Sequence, residues 1–250
     1  MEIKRLANGL MRSLKMIAFR GTKYYCPLCQ ANYAKFTPAG TPSRPNAKCP
    51  VCGSLERHRL LWICIDQLQK TEILKTNGRL LHIAPERCLA KRLAKNYEYV
   101  SVDMYSSEVD VKVDITALCF SDEYFDSIIC NHVLEHIQDD RKALSELFRV
   151  LKYGGWGSIQ VPIKGEKTQE DPFTTPLERE RLYGQRDHVR QYGEDFKLRL
   201  QNAGFEVLEL KKEELLNPIE LERLSVFCEE GVMLVRKLES EVPAAIYPVP

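Results

Sequence analysis

Two cysteine pairs, Cys26-Pro-Leu-Cys29 and Cys49-Pro-Val-Cys52, carry the strongest chemical signal in this 250-residue sequence. Each C-x2-C turn offers two thiolates, and zinc takes four such soft ligands at the corners of a tetrahedron. The 19 residues between the pairs suit a ribbon hairpin that brings the turns together. Gly53 follows the second pair, where a left-handed backbone is commonly required. Four protein ligands close the coordination sphere, so the expected role is a structural zinc ribbon on Cys26, Cys29, Cys49 and Cys52. A redox reading of either pair is weak, because neither opens a helix within a βαβ unit. Residues 30–48 are rich in Pro, Gly, Thr and Ser, so the metal would supply much of that segment's folding free energy.

The other residues able to do chemistry are carboxylates and imidazoles spread along the remaining chain. Asp103 and Asp114 each end a short apolar run, His132, Glu135 and His136 follow another, and Asp187-His188 lies in a long polar stretch. The elements that must position them begin with a helix over 55–68, apolar at Leu60, Leu61, Cys64, Ile65 and Leu68, which bridges the ribbon to the main domain. Strands are expected at Leu80–Ala84, Tyr99–Asp103, Val111–Ile115, Phe125–Asn131, Trp156–Pro162, Phe205–Lys211 and Gly231–Lys237. Helices are expected at 86–95, 139–151 and 193–203, the second of them stopping before Gly154-Gly155. This alternation marks an α/β fold with a mostly parallel sheet. In such a sheet, ligands bind beyond the carboxyl ends of the strands. The boundaries expected are a basic segment and ribbon at 1–54, a bridge at 55–77, the main domain at 78–240 and a tail at 241–250. Residues 162–192 form a long loop, read as a lid or binding loop.

The most specific stretch runs Phe125-Asp-Ser-Ile-Ile-Cys-Asn131-His132-Val-Leu-Glu135-His136-Ile137 and continues through Ala143-Leu144-Ser-Glu146-Leu147-Phe-Arg149-Val-Leu-Lys-Tyr-Gly154-Gly155-Trp156. Over residues 78–237 the chain resembles the class I S-adenosylmethionine-dependent methyltransferases. That resemblance implies a Rossmann-like, seven-stranded, mostly parallel sheet with helices on both faces. It also implies S-adenosylmethionine as cofactor. By the resemblance, Asp103, with Met104 beside it, would take the ribose hydroxyls, while Asp114 and the Ile115 backbone would meet the adenine. Asn131 and His132 would line the cofactor at the end of the fourth strand. The family's first loop, acidic-x-Gly-x-Gly-x-Gly, departs here to His82-Ile83-Ala84-Pro85-Glu86-Arg87-Cys88. His82 thus stands where the acid would, and Ala84, Glu86 and Cys88 where the glycines would. Glu86 would meet the cofactor's ammonium or start the following helix, where acids are favoured.

Methyl transfer is an in-line displacement, so alignment of the acceptor supplies much of its rate. A base is needed only where the acceptor loses a proton. His132 and His188 are the candidates, His132 alternatively packing on the cofactor. Glu135 and His136 are read as helix-surface or loop-ordering groups. Asp187-His188 with Arg190 and Tyr192 would bind a polar or anionic acceptor, or else pair within their own loop. The expected acceptor is a small polar molecule, sugar-containing or otherwise, methylated on oxygen or nitrogen. The rivals are an RNA methyltransferase that holds RNA on its basic N-terminal region, and a non-catalytic adaptor.

Charge bears on that choice. Eleven Lys/Arg against two Glu make residues 1–60 +9, which leaves −8 for residues 61–250 of a chain whose net charge is +1. The basic head suits an anionic partner or a solubilising surface on a small domain. Leu6, Leu10, Leu14 and Ile17 fall near helical spacing among basic residues, a helix expected to pack on its own domain or else to touch a membrane surface or a nucleic acid. Cys64, Cys88, Cys119, Cys130 and Cys228 sit among apolar neighbours and read as buried thiols. With no apolar run of membrane-spanning length and no signal-peptide pattern, a reducing cytoplasm is the expected compartment. The sequence does not set the oligomeric state.

Overall fold

In the computed structural model, which describes residues 2–40, 42–71, 74, 77–229 and 231–238 (of 2–8 only the backbone), the first element is the helix α1 (Glu2–Ala18). Two small hairpins follow. β1 (Arg20–Cys26) pairs antiparallel with β2 (Ala31–Tyr33), and β3 (Thr37–Ala39) with β4 (Arg44–Lys48). The cysteine turns between and after them close alike. Gln30 N donates to Cys26 O at 2.8 Å, and Gly53 N to Cys49 O at 3.0 Å. Gln30 and Gly53 take positive φ, +56° and +76°, which the reading of Gly53 anticipates. Then comes α2 (Glu56–Lys70), burying Leu60, Leu61, Cys64 and Ile65 at the expected helical spacing.

The α/β part runs β5 (Arg79–Ile83), α3 (Arg87–Leu93), β6 (Glu98–Asp103), β7 (Val111–Lys112), β8 (Phe125–Asn131), a 3-10 turn at Leu134–His136, α4 (Asp140–Val150) and β9 (Leu151–Gln160). It continues through β10 (Gln169–Glu170), α5 (Pro176–Tyr183), β11 (Arg190–Gln191), α6 (Phe196–Asn202), β12 (Glu206–Leu210), α7 (Lys212–Leu215), α8 (Pro218–Leu224) and β13 (Val232–Arg236). Seven strands form one sheet in the order β12-β13-β9-β8-β5-β6-β7. The pairs β5–β6, β5–β8, β6–β7 and β8–β9 are parallel, and β13 runs antiparallel to β9. The expected Rossmann-like sheet with flanking helices is therefore present. Its strand order reverses at β5, which pairs with β6 on one side and β8 on the other, and this is the switch point where open α/β sheets hold ligands.

Three local differences have physical causes. α4 ends at Val150, before the glycine pair as expected, but the strand expected from Trp156 already starts at Leu151 as β9 and runs through Gly154, whose φ is +73°. A Cβ on Gly155 would lie 2.7 Å from Lys152 O and from Leu151 Cδ1, so the glycines permit a bulge rather than a stop. The third expected strand shrinks to Val111–Lys112, because Asp114 turns the chain two residues later. Cys119 is exposed, whereas Cys64, Cys88, Cys130 and Cys228 are buried as expected. Its neighbour Leu118 is the residue that turns inward there.

The chain divides into two compact units, formed by the described residues of Met1–Thr76, Glu86–Asn96 and Leu210–Val232, and of Asn77–Pro85, Tyr97–Glu209 and Met233–Pro250. Two stretches expected within the α/β domain, 86–96 and 210–232, thus group with the ribbon and α2. Within the first unit Arg59, fully buried on α2, donates to the carbonyls of Ala47, Ser54, Leu224 and Ser225 and stacks over Phe36 at 4.8 Å. One guanidinium thereby joins the ribbon to the end of α8, which is started by the Asn217–Glu220 capping box. Within the second unit, one face of the sheet (Leu81, Ile83, Ile128, Cys130, Ile159 and Val235) packs with Leu144 and Leu147 of α4 and Phe196 and Leu200 of α6. Among the described residues no helix is long and apolar enough to cross a membrane. The tail 241–250 lies outside them.

Candidate functional site

The carboxyl ends of β5, β6 and β8 bring together most of the residues expected at the cofactor. β5 ends at Ile83, and Ala84 follows with φ +45°, its N–H donating to Val102 O at 2.8 Å. An L-residue in the left-handed region costs about 1–2 kcal/mol. Ala84 thus keeps the backbone path of a glycine and accepts strain to do so. β6 ends at Asp103, whose Oδ1 accepts from the backbone N–H groups of Tyr105 and Ser106 at 2.6 and 2.7 Å. Its second oxygen, Oδ2, takes no hydrogen bond among the described residues. The Asp103 carbonyl in turn receives Val113 N at 3.3 Å, which sets the next loop beside it. Asp114 repeats the pattern, Oδ1 accepting from Thr116 N and Oγ1. Ile115 is buried in the core, and Met104 is exposed on the loop after Asp103.

At the end of β8, Asn131 Oδ1 accepts from Ser158 Oγ at 2.9 Å. His132 then adopts φ +54° while its N–H donates to Gln160 O at 2.7 Å. That strained backbone turns the imidazole off the strand, and strain of this kind in non-glycine residues concentrates at functional sites. His132 Nδ1 lies 3.5 Å from Glu135 Oε1. Two buried atoms here, His132 Nε2 and Glu135 Oε2, have no hydrogen-bond partner among the described residues.

Two expected cofactor residues make protein contacts of their own. His82 is an interior residue of β5, 0% exposed, its Nδ1 2.9 Å from Tyr99 Oη and its ring edge-on to that tyrosine. It sits in the core because the second position before a strand end faces inward on a sheet covered on both sides. Glu86 falls in the first unit, where it is the N-cap residue of α3 and places Oε1 3.7 Å from His58 Nε2. Its side chain makes no capping hydrogen bond to that helix. Glu135, expected on a helix surface or ordering a loop, is 2% exposed in the 3-10 turn.

The long loop is more ordered than its lack of periodicity suggests. Thr175 and Glu178 form a capping box that starts α5, with Pro176 at the first turn, and β10 pairs with β11. His188 is buried; its Nδ1 lies 3.0 Å from Tyr183 O, and its ring meets His136 edge-on at 4.7 Å. Burial, and then the neighbouring His136, push the His188 imidazole below its ordinary pKa. Arg190 and Tyr192 are not free to take an acceptor. Arg190, 4% exposed, donates to Glu170 and to the carbonyls of Leu134, Ile137 and Gln138. Tyr192, 0% exposed, donates to Asp140 at 2.6 Å. Both anchor the loop to the turn after β8, a role sequence reasoning missed because buried arginines carry no local pattern.

In the first unit the sulfurs of Cys26, Cys29, Cys49 and Cys52 converge, one ligand atom from each lying within 4.8 Å of the rest. Cys26 and Cys52 are 3.7 Å apart, and Cys29 and Cys49 3.6 Å. A tetrahedron with ~2.3 Å metal–sulfur bonds has edges of about 3.8 Å, so the cluster has the size of a zinc–thiolate centre. Hydrogen bonds from Cys26, Cys29 and Cys49 lower the Cys52 thiol, while bonds from Cys26, Cys29 and Cys52 raise Cys49. By contrast, burial alone raises the lone Cys64 thiol to about 12, the inert state of a core cysteine.

Residues 72–159 match the family described as methyltransferase domain. The chain is similar to the ubiquinone/menaquinone biosynthesis C-methyltransferase UbiE of Brucella anthropi, 29% identical over 150 residues, 54% of this chain and 53% of that protein. The protein of the same name from Brucella abortus (strain S19) is 27% identical over 150 residues, 54% of this chain and 52% of the relative. The chain spans about half the length of these curated relatives. Among solved structures it is similar to the 1,6-didemethyltoxoflavin-N1-methyltransferase of Burkholderia thailandensis, determined with S-adenosylhomocysteine, at 14% identity and a TM-score of 0.48 over 70% of this chain and 76% of that one. A SAM dependent methyltransferase from Archaeoglobus fulgidus gives 16% identity and a TM-score of 0.45 over 70% and 94%.

Proposed function

Because the chain carries a class I S-adenosylmethionine-dependent methyltransferase domain, we propose that it transfers a methyl group from S-adenosylmethionine to an oxygen or nitrogen of a small polar acceptor. The observation that carries the cofactor half of this reading is Asp103: a carboxylate at the end of β6, with one oxygen committed to its own turn and the other open. An open carboxylate oxygen suits a ribose hydroxyl, and the exposed Asp114 carboxylate suits an amino group. The positive φ of Ala84 supports close approach of a ligand to the first loop despite its missing glycines.

S-adenosylmethionine, when bound, supplies a methyl group made electrophilic by the positive sulfur. The protein's own part is alignment and proton handling. Asp103 and Asp114 would hold the adenosine end. His132 would face the acceptor: Glu135 orients its Nδ1, leaving Nε2 as the atom able to take a proton from an acceptor hydroxyl or ammonium. A small acceptor is favoured because the charged side chains of 162–192 are largely spent on holding that segment, Arg190 and Arg199 both binding Glu170. The relatives named C-methyltransferases leave carbon as a further acceptor atom for the screen. Binding of S-adenosylmethionine by calorimetry, followed by acceptor screening with released S-adenosylhomocysteine as readout, tests the proposal. Turnover with small hydroxyl or amine acceptors that falls in His132→Gln supports it. Binding without turnover on any acceptor class contradicts the enzymatic reading and favours an adaptor.

We further propose that Cys26, Cys29, Cys49 and Cys52 hold a structural zinc ion. Buried Arg59, whose pKa is lowered by burial and raised by the nearby Cys26 and Cys49, supplies a positive charge suited to offset a four-thiolate centre. RNA is a second reading of the acceptor. Arg12, Lys15, Arg20, Lys23, Lys35 and Lys48 are all exposed in the basic N-terminal region. A salt-dependent RNA gel shift that disappears when Arg12, Lys15 and Arg20 are neutralised would favour it. Nine cysteines without a disulfide fit a reducing compartment, and we place the protein in the cytoplasm.

A further inference from the structure

The turn after β8 and the loop after α5 meet in a second group of metal-type ligands. Glu135, His136 and His188 each offer one ligand atom, and these atoms lie within 4.8 Å of one another. The two segments are already tied there, Val189 N donating to Glu135 O at 2.8 Å. We propose that Glu135, His136 and His188 form a binding site for a divalent transition-metal ion of the zinc class, distinct from the cysteine cluster, that clips the loop carrying His188 to the end of β8.

Three observations carry this. Glu135 is 2% exposed, yet its Oε2 has no hydrogen-bond partner. A buried carboxylate oxygen left unpaired is costly, and a cation removes that cost. Second, both imidazoles are held as ligands are held. His188 Nδ1 sits 3.0 Å from the Tyr183 carbonyl, which can only accept, so that nitrogen carries the hydrogen and Nε2 presents its lone pair. His136 Nδ1 sits 3.1 Å from Asp187 Oδ2, which fixes the same tautomer. A backbone carbonyl and a carboxylate are the outer partners that orient metal-binding histidines. Third, two imidazoles and one carboxylate suit zinc or iron(II) rather than magnesium or calcium, which prefer oxygen alone. The His136 side chain is 33% exposed, so the site opens to solvent and leaves a position for water or an acceptor oxygen.

Cobalt(II) titration of the metal-stripped full chain tests this without any methyl donor, so its outcome is separate from that of the methyltransferase reading. The expected result is two equivalents per chain. One brings the thiolate-to-cobalt charge-transfer band of the cysteine cluster; the other brings only ligand-field bands of a nitrogen–oxygen site. His136→Gln and His188→Gln should each abolish the second equivalent and leave the charge-transfer band intact, with Trp156 fluorescence in a Trp62→Phe background reporting that the second unit is folded. Asp187→Asn changes a side chain 69% exposed and should weaken the second equivalent about 10–100-fold. A single equivalent with the charge-transfer band overturns the proposal. So does a second equivalent that survives both histidine substitutions. A second equivalent without the charge-transfer band would support it while refuting zinc at the cysteines.

Discussion

Replacing Arg190 by lysine keeps the charge and removes the fork, and so isolates what the guanidinium geometry contributes. Three nitrogens serve four acceptors: Nε donates to Glu170, Nη1 to the carbonyls of Leu134 and Ile137, and Nη2 to the carbonyl of Gln138. One ammonium can stand in for a single nitrogen position, most economically the doubly bonded Nη1. The Gln138 carbonyl then loses a charge-assisted bond of about 1.5–3 kcal/mol, while the Glu170 bond counts for little. Glu170 is 39% exposed and keeps Arg199 at 2.6 Å. Adding the poorer packing of a lysine stem, the expected loss is about 2–4 kcal/mol in the second unit. Urea unfolding measured by Trp156 fluorescence, in a Trp62→Phe background where it is the sole tryptophan, reads this directly. At a slope of ~2 kcal/mol per molar urea, the midpoint should fall by roughly 1–2 M. A fall below about 0.3 M would refute the assignment of Arg190 as the anchor of the turn after β8. If Glu170→Gln alone reproduced the full loss, the ion pair rather than the carbonyl bonds would hold the loop, against this reasoning.

Arg59→Lys should destabilise the first unit by about 3 kcal/mol or more, because four buried carbonyls share its three nitrogens; Trp62 fluorescence in a Trp156→Phe background checks it. Chelation of the zinc proposed at the four cysteines should abolish amide protection across residues 20–54 while the sheet residues of β5 and β8 stay protected, as read by hydrogen exchange. Glu146 is held below its ordinary value of 4.5, first by its hydrogen bond to Arg149. Its folded pKa being the lower one, the pair's contribution is present above pH 4.5 and is lost as pH falls through the folded value. Glu146→Gln should therefore flatten the acid limb of stability in that range, and an unchanged acid limb would count against the pairing.

The features legible in the sequence are those that local physics dictates. Phe125–Asn131 is read to the residue because a buried central strand is a continuous apolar run with a polar end, and α4 is visible in its single apolar face. The two cysteine turns are legible because each pair sits at a fixed two-residue spacing. The ends of β6 and β8, with Asp103 and His132, follow from where strands stop. Other features had signals that periodicity alone passes over: the Thr175-Pro-Leu-Glu178 and Asn217-Pro-Ile-Glu220 boxes start α5 and α8 within stretches too short to show an apolar face. Arg59 and Arg190 had no signal at all. Nothing local distinguishes a guanidinium that will be buried on carbonyls from one that will face water, since the carbonyls come from distant segments. The pairing of Glu135 and His136 with His188 is hidden for the same reason, being 52 residues apart in the chain at its nearer end.

The central claim is that this domain binds S-adenosylmethionine at the ends of β5, β6 and β8. Calorimetric titration of the zinc-replete full chain, beside Asp103→Asn, tests it most directly. Asparagine keeps the Oδ1 that Tyr105 and Ser106 bind, so the turn survives while the open, charged oxygen is lost. The account predicts micromolar binding by the parent chain and a loss of about 10–100-fold in the variant, the worth of one charge-assisted hydrogen bond. Equal affinity in both chains, or no binding by the parent, would contradict it.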